Sequence, residues 1–284
     1  MHLDITRRHL LAGLIWPAVK RVSKMRFGLT TYQWGRDWDI PTLIANCVKA
    51  KTFGVELRTS EKYAHGVELE LSSTQRSEVK KRFQNSPVAP VGLACSERFD
   101  WPDPAKLKAS LENAKAYVKL SYDVGSRGLR VFPNDFQKGV PEEKTIEQIG
   151  DALNSLGKSA AGYGQMIRLE NHGSAGRLAT LRKIIDRVEQ PSVRIMLNSD
   201  AKDNGGEGFA SNFNLVKHRL ADVLHMHDLK DADFPYQLQA DLLIDAGWEG
   251  WWLVEQSAKV PDRVQALIEL RKAWEEMVAR SLKR

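Results

Sequence analysis

The sequence predicts an α/β protein: a single closed (β/α)8 TIM barrel built from 284 residues. Three observations carry that prediction. Eight short apolar, β-rich runs recur along the chain, each followed by a polar turn. Longer stretches of helical period separate them, and strands alternating with helices pair in parallel through right-handed crossovers. No Gly-, Pro- or Ser-rich linker divides the chain, and eight units in about 255 residues suit a closed barrel better than an open sheet.

The runs, in order, are 27–34, 54–59, 88–95, 128–134, 166–172, 193–200, 223–231 and 251–257. Helix-like stretches between them include 39–51, 72–84, 104–124, 142–163, 177–189 and 261–279. The first strand-to-helix turn, Tyr32-Gln33-Trp34-Gly35-Arg36, has no G-x-G-x-x-G, which argues against a dinucleotide-binding sheet. No G-x-x-x-x-G-K-[ST] occurs either. With 42% hydrophobic and 27% charged residues, the balance is that of an ordinary globular domain. No run of about 18 apolar residues offers a stable membrane span.

The net charge of +6 sits mostly at the N-terminus. Residues 1–26 hold six basic side chains against Asp4, a net of +5, which leaves about +1 for the rest. A near-neutral body removes the electrostatic case for a nucleic-acid partner. Residues 1–25 read as a leader and 26–284 as the barrel. Thr6-Arg7-Arg8-His9-Leu10-Leu11, ahead of an apolar stretch, has the pattern of a twin-arginine export signal and implies a periplasmic destination, with the cytoplasm as the alternative. Cys47 and Cys95 fall in different elements and read as buried free thiols.

Barrel enzymes carry their chemistry at the C-terminal ends of strands. Those ends are polar here: Glu56-Leu57-Arg58, Arg130 to Asn134, Glu170-Asn171-His172, Asn198-Ser199-Asp200, His225 to Asp231, and Glu255-Gln256-Ser257. Glu170, Asn198 or Asp200, His227 and Glu255 come from four successive strands and converge on one side of the axis. Two carboxylates, an imidazole and a further oxygen suit one divalent ion, Mn²⁺ or Mg²⁺ foremost, with Co²⁺ or Zn²⁺ as alternatives. His225 and His227 alternate along a strand and so share a face. His172 shares the face of Glu170. His65 lies on the loop after the second strand, within reach of the mouth. His218 falls in a helical pattern and reads as surface.

The segments Gly54-Val55-Glu56-Leu57-Arg58, Leu169-Glu170-Asn171-His172, His225-Met226-His227-Asp228-Leu229-Lys230-Asp231 and Val254-Glu255 resemble the xylose isomerase-like TIM-barrel superfamily, most closely its sugar phosphate isomerase/epimerase branch. The resemblance spans about residues 26–280. It implies one divalent metal held by Glu170, a strand-six acid, His227 and Glu255, with both glutamates moving protons. It also implies a small-molecule carbohydrate substrate and frequent homo-oligomers. Strand six departs from the family pattern. Asn198 stands where that pattern has Asp, and Ala201 where it has a His three residues later. Either Asn198 or Asp200 supplies the ligand, and His225, Lys230 or Arg58 is a substitute for the missing His.

Such a site abstracts a proton beside a carbonyl, with Glu170 and Glu255 as base and acid. Isomerisation, epimerisation and β-elimination share that first step. The leading expectation is therefore a metal-dependent sugar isomerase or epimerase. A keto-glycoside lyase or hydratase is the alternative, and a non-catalytic sugar-binding barrel a further one. Arg58, Arg130 and Lys230 are the candidates for an anionic substrate group. Trp34 and Trp101 lie on loops near the mouth, placed to stack on a sugar, whereas Trp248, Trp251 and Trp252 read as packing residues.

Overall fold

The computed structural model describes residues 21–284. The twin-arginine segment lies outside the described residues. The first strand, β1 (Lys24–Thr30), takes in Lys24 and Met25, which the sequence reading gave to the leader, and Met25 is buried.

The elements then alternate: α1 (Ile40–Ala50), β2 (Gly54–Arg58), α2 (Ser73–Gln84), β3 (Ala89–Arg98), α3 (Pro104–Asp123), β4 (Gly128–Phe132) and α4 (Glu142–Ala161). There follow β5 (Met166–Glu170), α5 (Leu178–Asp186), β6 (Val193–Met196), α6 (Phe209–Val216), β7 (Val223–Met226), α7 (Tyr236–Asp245), β8 (Glu249–Val254) and α8 (Arg263–Leu282). Several helix starts are written in the sequence. The Asp39 carboxylate accepts from Thr42 N at 2.9 Å with Pro41 in the first turn, Ser72 and Gln75 form a reciprocal capping box, and Asp262 caps α8. α6 and α7, absent from the stretches named above, are short and lack such a signal: Gly208 and Pro235 precede them without a side-chain cap.

The strand order is β6-β5-β4-β3-β2-β1-β8-β7, with parallel pairing throughout. The cylinder closes between β6 and β7 through two isolated bridges, Ile195 with Leu220 and Asn198 with His225. His225 N donates to Leu197 O at 2.8 Å across that seam. The sparse seam matters for function, because it lays Asn198 directly beside His225. β1 and β7 stop short of their sequence-predicted ends, since 31–37 turn away after β1 and 227–231 form a polar loop.

The barrel interior is only partly apolar. Arg168 on β5 is fully buried, pairs with Asp222 at 2.9 Å and donates to Val91 O at 2.9 Å. Gly92 and Gly128 leave it room: a Cβ on Gly128 would stand 2.9 Å from its Cζ. β1 and β2 approach just as closely. A Cβ on Gly28 would stand 2.6 Å from Gly54 O and would overlap Leu253 Cδ2. Gly28→Ala is therefore expected to lower stability by about 1–3 kcal/mol through overpacking, read as a lower urea midpoint at unchanged m-value.

Cys47 and Cys95 are buried and free, as expected from their positions, and burial pushes both thiols up to about 12. That makes them poor nucleophiles. Among the described residues no helix is long and apolar enough to cross a membrane.

Candidate functional site

The C-terminal ends of β5 to β8 converge on one constellation. Glu170 ends β5, Asn198 follows β6, His225 lies within β7, and Glu255 follows β8. The Asn198 amide Nδ2 donates to Glu170 Oε1 and, at 3.0 Å, to Glu255 Oε2. His225 Nδ1 stands 3.3 Å from Glu255 Oε2 and 3.8 Å from Glu170 Oε1. Its Nε2 pairs at 2.7 Å with Glu56, a fully buried carboxylate on β2. Arg130 Nε on β4 lies 2.8 Å from Glu170 Oε2, and its Nη1 donates to Cys95 O at 3.0 Å. His227, half-exposed, brings Nε2 to 3.5 Å from Glu255 Oε2.

These neighbours set the protonation states. Burial pushes the Glu170 carboxyl up, but the Arg130 guanidinium and then His225 outweigh it and hold the group below the usual carboxylate range. Burial likewise raises Glu255, while the charge and hydrogen bond of His225, with help from His227, hold it well below. Burial disfavours the His225 imidazolium, yet Glu255 and Glu56 together lift it well above an ordinary histidine. Both site glutamates are thus ionised at neutral pH.

Above this floor lies a cavity of about 380 Å³, within the ~300–1,000 Å³ span of small-molecule sites. Glu170, Asn198, His227, Glu255, Arg58 and His172 all line it. His172 Nδ1 lies 3.0 Å from Asn134 Oδ1, and its ring packs 4.4 Å from Phe132. The Arg58 guanidinium sits 5.5 Å from the Tyr32 ring and 5.9 Å from Phe132, where burial and then Arg130 lower its pKa. Arg130 and His225 lie beneath the cavity and shape it through Glu170 and Glu255.

Four sequence candidates lie elsewhere. Asp200 is not on the cavity wall: its Oδ1 accepts from Lys202 N at 2.9 Å and caps the 3₁₀ turn Ala201–Asn204. His65 is buried between Arg58 O, 3.0 Å from Nε2, and Val67 N, which donates to Nδ1. Burial pushes its pKa down to about 4 against the opposing Arg58 carbonyl, so it is a neutral staple of its loop. Lys230 and Trp34 line a neighbouring cavity instead of the mouth. Trp34 Nε1 donates to Ala258 O at 2.8 Å. Trp101 is covered by the Arg98 guanidinium at 3.8 Å, while Trp248 and Trp252 are packing residues as expected. His218 sits on the short turn Lys217–Arg219, none of whose residues is buried.

The family model for the xylose isomerase-like TIM barrel matches residues 44–279. The chain belongs to that family. A search of curated protein sequences finds no match. Solved structures share the fold of this xylose isomerase-like barrel at low identity. The 3-keto-D-glucoside 4-epimerase YcjR of E. coli is 15% identical, with a TM-score of 0.72 over 89% of this chain and 99% of that one. An L-ribulose 3-epimerase is 13% identical, with a TM-score of 0.77 over 91% and 96%. The zinc-bound IOLI protein is 17% identical, with a TM-score of 0.73 over 91% and 99%.

Within this barrel, sequence reasoning passed over Glu56 as a site residue. Strand alternation held the signal, because Glu56 lies two residues before Arg58 and so shares its face. It also passed over the relay behind Asn198. Asn198 N donates to Asn171 Oδ1, and Asn171 Nδ2 donates to the buried Asp203 at 2.5 Å. Burial pushes Asp203 up to about 7, with Asp200 adding to the shift. The unfolded chain loses this proton near pH 3.9. The native state therefore holds the extra proton between roughly pH 4 and 7, and stability falls as pH rises through that window, by about 4 kcal/mol in total. Asp203→Asn is expected to be more stable than the wild type at pH 8 and equal to it below pH 4, as checked by urea melts across pH.

The floor of this barrel fits a divalent cation. Glu170, His225 and Glu255 each offer a ligand atom, and those atoms lie within 4.8 Å of one another. Asn198 Oδ1 is buried without a hydrogen-bond partner, and His225 Nδ1 faces the Glu255 and Glu170 carboxylate oxygens at 3.3 and 3.8 Å. Half a turn about the Asn198 amide exchanges its NH2 for Oδ1, so the residue can donate to the carboxylates or ligate. Glu56 on Nε2 orients the His225 ring as a carboxylate orients a metal-bound histidine.

Proposed function

We propose that this barrel is a divalent-metal-assisted carbohydrate epimerase or isomerase that removes a proton next to a carbonyl. The observation that carries the reading is the pair of ionised glutamates flanking the β6–β7 seam, with Asn198 and His225 between them at the floor of the cavity. Glu170, Glu255, Asn198 and one of the two imidazoles, His225 or His227, would hold the cation. Mn²⁺ or Mg²⁺ suits the oxygen-rich donors best, with Zn²⁺ or Co²⁺ next. When bound, the ion polarises a substrate carbonyl and stabilises the negative charge that forms beside it.

The protein residues supply the rest. Glu255, side chain 11% exposed against 2% for Glu170, is the better-placed base. It takes the proton, and His227 at 3.5 Å links it to solvent. Glu170, clamped by Arg130 on the other side of the seam, starts ionised, so it first takes a proton from solvent in the cavity and then delivers it from there, while Glu255 passes the proton it removed to solvent through His227. Removal by one carboxylate and return by the other inverts a carbon, which is epimerisation. Return to the neighbouring carbon is isomerisation. Glu170, Asp228, Asp231 and Glu255 around the cavity against Arg58 disfavour a phosphorylated substrate and support a neutral sugar. The two epimerases described above as structural neighbours are in keeping with this reading.

The test is solvent exchange. The protein is incubated in D2O with a panel of keto-sugars, with Mn²⁺ or after EDTA, and carbon-bound deuterium is followed by NMR. Expected is metal-dependent exchange at one carbon, lost with EDTA and restored by Mn²⁺. Stoichiometric Mn²⁺ binding without exchange on any sugar would make the protein a binder and end the catalytic reading.

A further inference from the structure

A second cavity of about 230 Å³ abuts the mouth, and Asp228 and Gln256 are walls of both. Its chemistry differs. Where the mouth is rich in carboxylates, most of this side cavity's wall is apolar, from Trp34, Leu229, Val260, Ala266, Leu270 and Ala273, with Lys230 and Glu269 as its further charged members. From this juxtaposition we infer that the substrate is a glycoside: its reacting sugar lies in the mouth, and its aglycone, an aromatic or second sugar ring, lies in the side cavity. The inference rests on the proposed function for the identity of the reacting ring.

The side cavity is built, not incidental. Trp34 Nε1 ties the β1–α1 loop to Ala258 O at 2.8 Å, and Arg263 Nη1 of α8 donates to Trp34 O at 3.0 Å. Gln256 Oε1 accepts from Ser257 N at 3.0 Å and Ala258 N at 3.2 Å, fixing the shared wall. The β1–α1 loop and the segment 256–263, distant in sequence, thus hold the space open before any ligand arrives, so little ordering cost falls on binding. A free monosaccharide is polar on every edge and satisfies the mouth alone. Only a ligand with a polar ring joined to a flat group with an apolar face matches both cavities, since apolar walls reward apolar contact and penalise unpaired hydroxyls.

The test compares p-nitrophenyl with methyl glycosides of D-glucose, D-galactose and D-mannose, and adds cellobiose, by calorimetry on the full chain with Mn²⁺. For at least one sugar the p-nitrophenyl glycoside, or cellobiose, is expected to bind at least tenfold more tightly than the methyl glycoside. Ala273→Leu and, separately, Ala266→Met fill the side cavity and should erase that gap, and melting temperatures check that each variant folds. An advantage confined to p-nitrophenyl assigns an aromatic aglycone, and one for cellobiose a second sugar. Equal affinities, no binding by any probe, or a gap that survives both variants overturns the inference. Deuterium exchange on the same protein is scored separately. A binding gap without exchange on any keto-sugar keeps the subsite and removes the catalytic reading, whereas exchange without a gap does the reverse.

Discussion

Arg130→Met is expected to destabilise the fold by about 3–5 kcal/mol, because it strips the counter-charge from a nearly buried carboxylate. Arg130 is fully buried and the Glu170 side chain is 2% exposed, with 2.8 Å between Nε and Oε2. The Met side chain fills the space without the charge. Glu170 keeps the Asn198 amide and His225, which places the loss toward the lower end. Urea unfolding measures it. The double variant Arg130→Met/Glu170→Gln should recover at least half of the loss, since the neutral amide needs no guanidinium. Full loss in the double variant would assign the cost to the Cys95 carbonyl that Arg130 also serves.

Glu255→Gln is expected to lower the rate of carbon–hydrogen exchange by about 10²–10⁴-fold, the span for removing a positioned general base. The amide preserves shape and an oxygen but cannot accept the proton. Single-turnover exchange in D2O under saturating Mn²⁺ separates this from weakened metal binding. His225 loses one of its charge partners in the same variant, while Glu56 at 2.7 Å continues to hold the ring. The variant should therefore stay folded. Exchange within threefold of wild type would remove Glu255 from the proton-transfer role.

Much of the barrel was legible along the chain. Buried β-runs separated by amphipathic helices fix a parallel sheet, and the count of eight fixes closure. The polar residues at the strand ends follow from the same alternation, which is why Glu170 and Glu255 stood out as a pair. The short helices α6 and α7 were harder to delimit, because their apolar residues follow the helical period less sharply than those of the similarly short and likewise uncapped α5. Asp200 and Asn198 looked interchangeable by strand parity. The chain leaves β6 at Met196, however, and by residue 200 it has turned into a 3₁₀ turn that consumes the Asp200 carboxylate as a cap. Strand alternation no longer applies once the strand has ended.

By itself the sequence determined the fold class, the family likeness and the residue types gathered at the barrel mouth. Those follow from periodicity and order, which are properties of the chain read in one dimension. Only the tertiary structure decided that His225 is wedged between Glu56 and Glu255, that Arg130 clamps Glu170, and that Trp34 walls a side cavity and not the mouth. Each of these depends on how far β6 and β7 stand apart at the seam and on how loops from opposite ends of the chain meet. Distances between residues from thirty to more than two hundred positions apart are set by packing of the whole barrel, so no local pattern encodes them.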